Sequence, residues 1–87
     1  MMEVLLTEKA RKQLVDLPSD LRDFFIKHLE KIGEIPPRKH MRYGIPCHVE
    51  KVTKQARLIY QIEEDRIYVL QCFAGHKEYE RWYRAYK

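Results

Sequence analysis

The 87-residue length leaves room for one domain, spanning 1–87, and a chain this small buries only roughly 60% of its unfolded surface. A hydrophobic fraction of 45% excludes disorder, and no apolar run approaches the roughly 20 residues of a membrane span. The net charge of +4 is one-sided: residues 1–37 hold six Lys/Arg and seven Asp/Glu, a balance of −1, whereas residues 38–87 hold eleven and six, a balance of +5. Such a field favours a polyanion, either nucleic acid or an acidic protein segment, although a solvated basic surface is the plain alternative.

Met2 to Leu6 reads as a short first strand. Thr7 is placed to cap a helix with Glu8 in its first turn, running to about Asp16 with Ala10, Leu14 and Leu17 on one face. Pro18-Ser19-Asp20 breaks that helix and opens a second, along which Leu21, Phe24, Phe25, Leu29 and Ile32 follow at helical spacing. Gly33 reads as its C-terminal stop. Residues 34–46 form a predicted loop with Pro36, Pro37, Gly44 and Pro46. It carries Arg38, Lys39, His40 and Arg42, and a loop this long in a small domain is either functional or a variable surface segment. His48 to Val52 reads as a second strand. Residues 56–62 and 66–73 form a hairpin about Glu63-Glu64-Asp65, and Tyr79 to Lys87 form a short helix or tail. The expected architecture is α+β: two helices packed on one face of an antiparallel sheet, with the other face open. Leu14, Phe25, Leu29, Leu58 and Ile62 are the expected common core.

Cys47 and Cys72 form no CxxC pair, so they predict buried free thiols in a reducing compartment rather than a zinc or redox motif. Without a recognisable signal segment, the expected location is the cytoplasm, with no membrane contact.

The chemistry-bearing residues lie in the last half. Alternation puts Leu58, Tyr60 and Ile62 on one side of their strand and Arg57, Ile59 and Gln61 on the other, so Arg57 is expected to face the open side and clamp a phosphate. Its alternative is a strand-edge arginine paired with Glu50 or a neighbour. His76 directly follows the strand and Gly75, with Lys77 and Tyr79 close behind, and a strand end holds a group rigidly. His40 and His48 are expected to converge with His76 on the open face, while His28, inside the second helix, reads as structural. Cleavage of RNA by attack of a 2′-hydroxyl on the adjacent phosphate needs a base, an acid and positive charge, and requires no metal. His76, His48 or His40 could supply the proton transfers, and Arg57 with Lys51 or Lys77 the charge. Tyr79, Trp82, Tyr83 and Tyr86 could stack on bases, but their i, i+3, i+4, i+7 spacing equally fits one packed helical face.

Cys47-His48-Val49-Glu50, Arg57-Leu58-Ile59-Tyr60 and Gly75-His76-Lys77-Glu78-Tyr79, after a strand and two helices, resemble the RelE/ParE toxin superfamily, in its YafQ-like or HigB-like branch. The resemblance implies the toxin of a type II toxin–antitoxin pair, a ribosome-dependent mRNA endonuclease that a cognate antitoxin neutralises. It implies no cofactor and no metal. Carried over by motif, His76, Arg57, His48 and Tyr79 are the expected catalytic residues, and His40, Arg42, Lys51, Lys54, Lys77 and Arg81 the RNA-binding ones. The sequence departs from the family pattern at Lys51-Val52-Thr53, where YafQ-like proteins continue Pro-Asp-Trp, and at Cys72-Phe73-Ala74, where a RelE-like second arginine would stand. ParE relatives inhibit gyrase without cutting RNA, so a gyrase inhibitor and an inactive RNA-binding relative are the alternatives.

Overall fold

The structure, a computed structural model, describes residues 2–34 and 47–85. His40 and Arg42 of the predicted loop, and Tyr86, lie outside the described residues. Seven elements follow in order: β1 (Glu3–Leu6), α1 (Glu8–Val15), α2 (Ser19–Glu34), β2 (His48–Lys51), β3 (Arg57–Glu63), β4 (Arg66–Phe73) and α3 (His76–Ala85). The α1 boundary follows from its cap: the Thr7 hydroxyl accepts the Ala10 N–H at 3.1 Å.

The strands lie in the order β1-β4-β3-β2. β2, β3 and β4 are antiparallel neighbours, but β1 runs parallel to β4, so the sheet is mixed rather than antiparallel throughout. Two tight reversals return β4 to the direction of β2. The long helical connection brings β1 into that same direction, and a parallel pairing needs such a crossover.

Phe25, Leu29 and Ile32 of α2 pack with Ala10, Leu58, Tyr60, Ile67, Val69 and Cys72 in the main core. Leu14 and Ile62 lie partly buried against it, so the expected core residues do meet. Strict alternation along β4 would put Phe73 with Ile67 and Val69. It does not, because Ile59 pairs with Gln71 and Tyr60 with Val69, which makes Leu70 an extra residue and reverses the facing beyond it. Cys72 then joins the main core, while Leu70 and Phe73 turn to the other side. Past the bulge, the Cys72 N–H donates to the Gln13 side-chain oxygen of α1 at 2.7 Å, and Gln13 Nε2 donates to Gln71 at 3.0 Å. A helix side chain thus satisfies a strand donor that the sheet has left.

The second face is not open. α3 lies on it and closes a smaller core of Cys47, Ile59, Phe73 and Tyr79, with Val49, Leu70, Trp82 and Tyr83 packed around. The amphipathic spacing of Tyr79, Trp82 and Tyr83 is satisfied by this packing. Gly33 is not a helix stop, since α2 continues to Glu34. It is where β1 crosses the helix: Met2 N–H donates to the Gly33 carbonyl at 2.8 Å, and a Cβ on Gly33 would stand 3.1 Å from Val4 Cγ2.

Candidate functional site

The turn between β2 and β3 builds one wall of the site. The Thr53 hydroxyl accepts the backbone N–H groups of Gln55 and Ala56, and Val52 N–H donates to the Ala56 carbonyl. Carbonyls of this turn then gather around the first side chain of β3. Arg57 Nη1 lies 3.1 Å from the Thr53 oxygen, 3.2 Å from that of Lys54 and 3.0 Å from that of Ala56. Its guanidinium carbon stands 5.6 Å from the centre of the Tyr79 ring, a cation–π contact. Arg57 therefore faces the α3 side, as alternation predicts, and it is also built into the protein: one end of its fork organises the turn, and its plane rests on a buried aromatic ring.

Tyr79 is the hub beneath it. The ring is 5% exposed and lies 5.9 Å from the His76 ring, 6.0 Å from that of Tyr83, 6.3 Å from that of Trp82 and 6.4 Å from that of Phe73. Such edge and offset contacts hold an aromatic cluster rigid. His76, the first residue of α3, stands at the solvent margin of this cluster. Its Nε2 is 2.7 Å from Glu80 Oε1, four residues along the same helix, and Glu80 Oε2 is in turn 3.2 Å from Arg84 Nη2.

An open hollow of about 650 Å³ is lined by Lys54, Gln55, Gly75, His76, Lys77, Glu78 and Glu80. A smaller one, of about 400 Å³, continues along α3 past Lys77, Glu80, Arg81 and Arg84. Lys51 is paired directly across from Arg57, which puts it on the same face. The structure thus brings together His76, Arg57 and Tyr79, with Lys51, Lys54, Lys77 and Arg81 on the same side.

His48 does not join them. It lies directly across from Tyr60 and stacks on that ring at 5.2 Å, so it faces the main core under the helices. The expected convergence of His48 with His76 fails because the pairing of β2 with β3 points His48 to the opposite face from Arg57. Glu50, two residues on and hence on the same face as His48, meets His28 of α2, with Oε2 3.3 Å from Nδ1. His28 therefore ties α2 to the strand, and Arg57 does not pair with Glu50. Burial and the nearby Glu50 carboxylate push the Tyr60 hydroxyl up to about 12. Burial likewise pushes the Cys72 thiol up to about 12 and the Cys47 thiol upward, so neither is a thiolate near neutral pH. Among the described residues, no group of three or more His, Cys, Asp or Glu is placed to hold a metal ion, and no helix is long and apolar enough to cross a membrane.

Glu80 and the carbonyl setting of Arg57 are not among the expected site features. The i, i+4 spacing of His76 and Glu80 is a signal that could have found the first. The second depends on how the turn folds back, which no local spacing reveals.

No family model matches the chain, and no curated protein matches its sequence. Solved structures do. The intact RelBE toxin–antitoxin complex of E. coli superposes with a TM-score of 0.72 at 26% identity, over 84% of this chain and 95% of that one. The isolated E. coli RelE toxin gives 0.73 at 22% identity, over 98% and 99%. The RelBE2 toxin–antitoxin complex of Mycobacterium tuberculosis gives 0.71 at 20% identity, over 83% and 95%.

Proposed function

We propose, for a chain that has the fold of the RelE/ParE superfamily, that it is the toxin of a type II toxin–antitoxin pair and cuts messenger RNA on the ribosome. The observation that carries the reading is the cluster of Arg57, Tyr79 and His76 beside a hollow lined by two lysines. In this mechanism the 2′-hydroxyl of the RNA attacks the adjacent phosphate, His76 exchanges the proton, and Lys54, Lys77 and Arg57 lower the energy of the phosphorane. Nothing in that sequence of steps needs a metal. Tyr79 acts by holding Arg57 and His76 in place, and Lys51 and Arg81 extend the basic surface along which the RNA backbone runs. His48 stands outside the mechanism because it faces the other side of the sheet. With His48 removed, the YafQ-like or HigB-like assignment rests on the segment His76 to Tyr79.

An antitoxin is the second partner of this reading. Two of the similar structures are toxin–antitoxin complexes, and a basic face of this kind suits an acidic segment that competes with RNA.

The test is cleavage of mRNA on programmed ribosomes by the wild type and by His76→Ala and Arg57→Ala, with the folding of each checked by circular dichroism. The proposal expects losses of about 100- to 10,000-fold for His76→Ala and a comparable loss for Arg57→Ala. Wild-type rates in both folded variants would refute the assigned site. Growth arrest with intact mRNA and blocked gyrase would replace the nuclease by a gyrase inhibitor.

A further inference from the structure

His76 and Glu80 meet at the mouth of the larger hollow, with Nε2 2.7 Å from Oε1, and both side chains line it. That separation is within hydrogen-bonding distance of an N–H donor and a carboxylate. The pair is partly open to solvent, with 46% of the His76 side chain and 42% of the Glu80 side chain exposed, so a ligand can reach it. Glu80 is itself held from its other oxygen by Arg84, at 3.2 Å. The three side chains make a relay along one helix, and its histidine end abuts the Tyr79 ring on which Arg57 rests.

We infer that Glu80 is a positioning residue for His76. Its carboxylate accepts the Nε2–H bond, fixes the plane of the imidazole, and leaves Nδ1 as the nitrogen that takes a proton from the RNA. The inference rests on the nuclease reading above and specifies its proton path. The 2′-hydroxyl passes its proton to Nδ1 as its oxygen bonds to phosphorus. The bond from phosphorus to the 5′-oxygen breaks, and that oxygen takes a proton from the ammonium of Lys54 or Lys77 in the same hollow. The imidazolium that forms then faces a carboxylate already in place, so its charge is stabilised without reorganisation. An ordinary surface pair at i, i+4 would instead add a little helix stability and nothing to the reaction.

The experiment compares Glu80→Ala and Glu80→Gln in the full chain, by single-turnover cleavage on programmed ribosomes and by the imidazole resonances of His76. Glu80→Ala should slow cleavage about 10- to 100-fold, by analogy with the loss of a carboxylate that orients a metal-bound histidine, with ribosome binding unchanged. Glu80→Gln, which keeps an acceptor but loses the charge, should recover part of that rate. The His76 Nε2–H signal should be slow to exchange in the wild type and lost in Glu80→Ala. In a His76→Ala background, Glu80→Ala should have no further effect, because its role passes through the histidine. A wild-type rate in Glu80→Ala, or an undiminished effect in the His76→Ala background, overturns the inference while leaving the nuclease intact. A wild type that cuts no RNA removes the nuclease reading and the inference with it.

Discussion

Beneath α1 and α2, His28, Glu50, His48 and Tyr60 crowd against one face of the sheet; against α3, on the opposite face, stand His76, Glu80, Tyr79 and Arg57. Each set holds at least one histidine, a glutamate and a tyrosine. In the first set, Tyr60 is 1% exposed, and the side chains of Glu50 and His28 are 12% and 24% exposed. In the second, the tyrosine is buried while His76 and Glu80 stay close to half exposed beside a hollow. A group that exchanges protons with a ligand must touch it, so the enclosed set serves to fasten a helix to a strand and the half-open set can do chemistry. Residue type does not separate the two roles; the face of the sheet does.

The contrast breaks most sharply at the histidines. On the nuclease reading, His76→Ala should cost about 100- to 10,000-fold in RNA cleavage, whereas His48→Ala, once shown to be folded, should stay within about threefold of wild type, since it stacks on Tyr60 on the face away from Arg57 and His76. Equal losses in the two variants would put the active surface on the wrong face. The next effect is on stability. Phe25 is fully buried in the larger core, and Phe25→Ala should destabilise by about 3–5 kcal/mol in urea unfolding. Trp82, only partly buried in the smaller core, should cost roughly half as much on truncation to alanine. A reversed order would make the α3 side the main source of stability.

Tyr60 sharpens the comparison further. Among the described residues its buried hydroxyl has no hydrogen-bond partner, so Tyr60→Phe should be neutral or stabilising by up to about 1 kcal/mol at pH 7. The folded hydroxyl ionises at about 12 against an ordinary value of 10.0. The unfolded chain therefore loses this proton first, and stability falls as pH rises through that window. Tyr60→Phe should lose less stability than the wild type between those two values, and parallel pH curves would count against the assigned burial. The smallest effect lies away from both faces. Glu64 in the β3–β4 turn has φ of 55°, and Glu64→Asn should raise stability by roughly 0.5 kcal/mol by relieving part of the left-handed strain. An unchanged unfolding midpoint would show that the turn absorbs that strain elsewhere.

Local rules made much of the frame legible. Thr7 as cap, the α2 stripe from Leu21 to Ile32, and the reversal at Glu64-Asp65 each depend on neighbours within a few residues. What escaped depends on partners far along the chain. Leu70 becomes a bulge residue only once β3 and β4 are paired, and that pairing decides the side on which Phe73 lies. Gly33 reads as a helix stop until β1 is known to cross it. His48 sits in a plausible catalytic triplet with Val49 and Glu50, and only its register with Tyr60 turns it inward. In the candidate site, Arg57 and His76 were visible by residue type and strand position, but the carbonyl turn that holds Arg57 was not.

The parallel pairing of β1 with β4 also governs when the protein can come into being during its own synthesis. Glu3 lies opposite Arg66 and Leu6 opposite Val69, so the first strand made must wait for almost the last. Until β4 has emerged, β1 has no strand to pair with, and the apolar faces of α1 and α2 have no finished sheet to cover. α3, which carries His76, follows later still. Ribosome-held chains ending at Glu63 should therefore be cut by a probing protease throughout, and chains extended past Ala85 should resist it. A protein of this topology closes its sheet late in synthesis, and the face covered by α3 is the last part to be assembled.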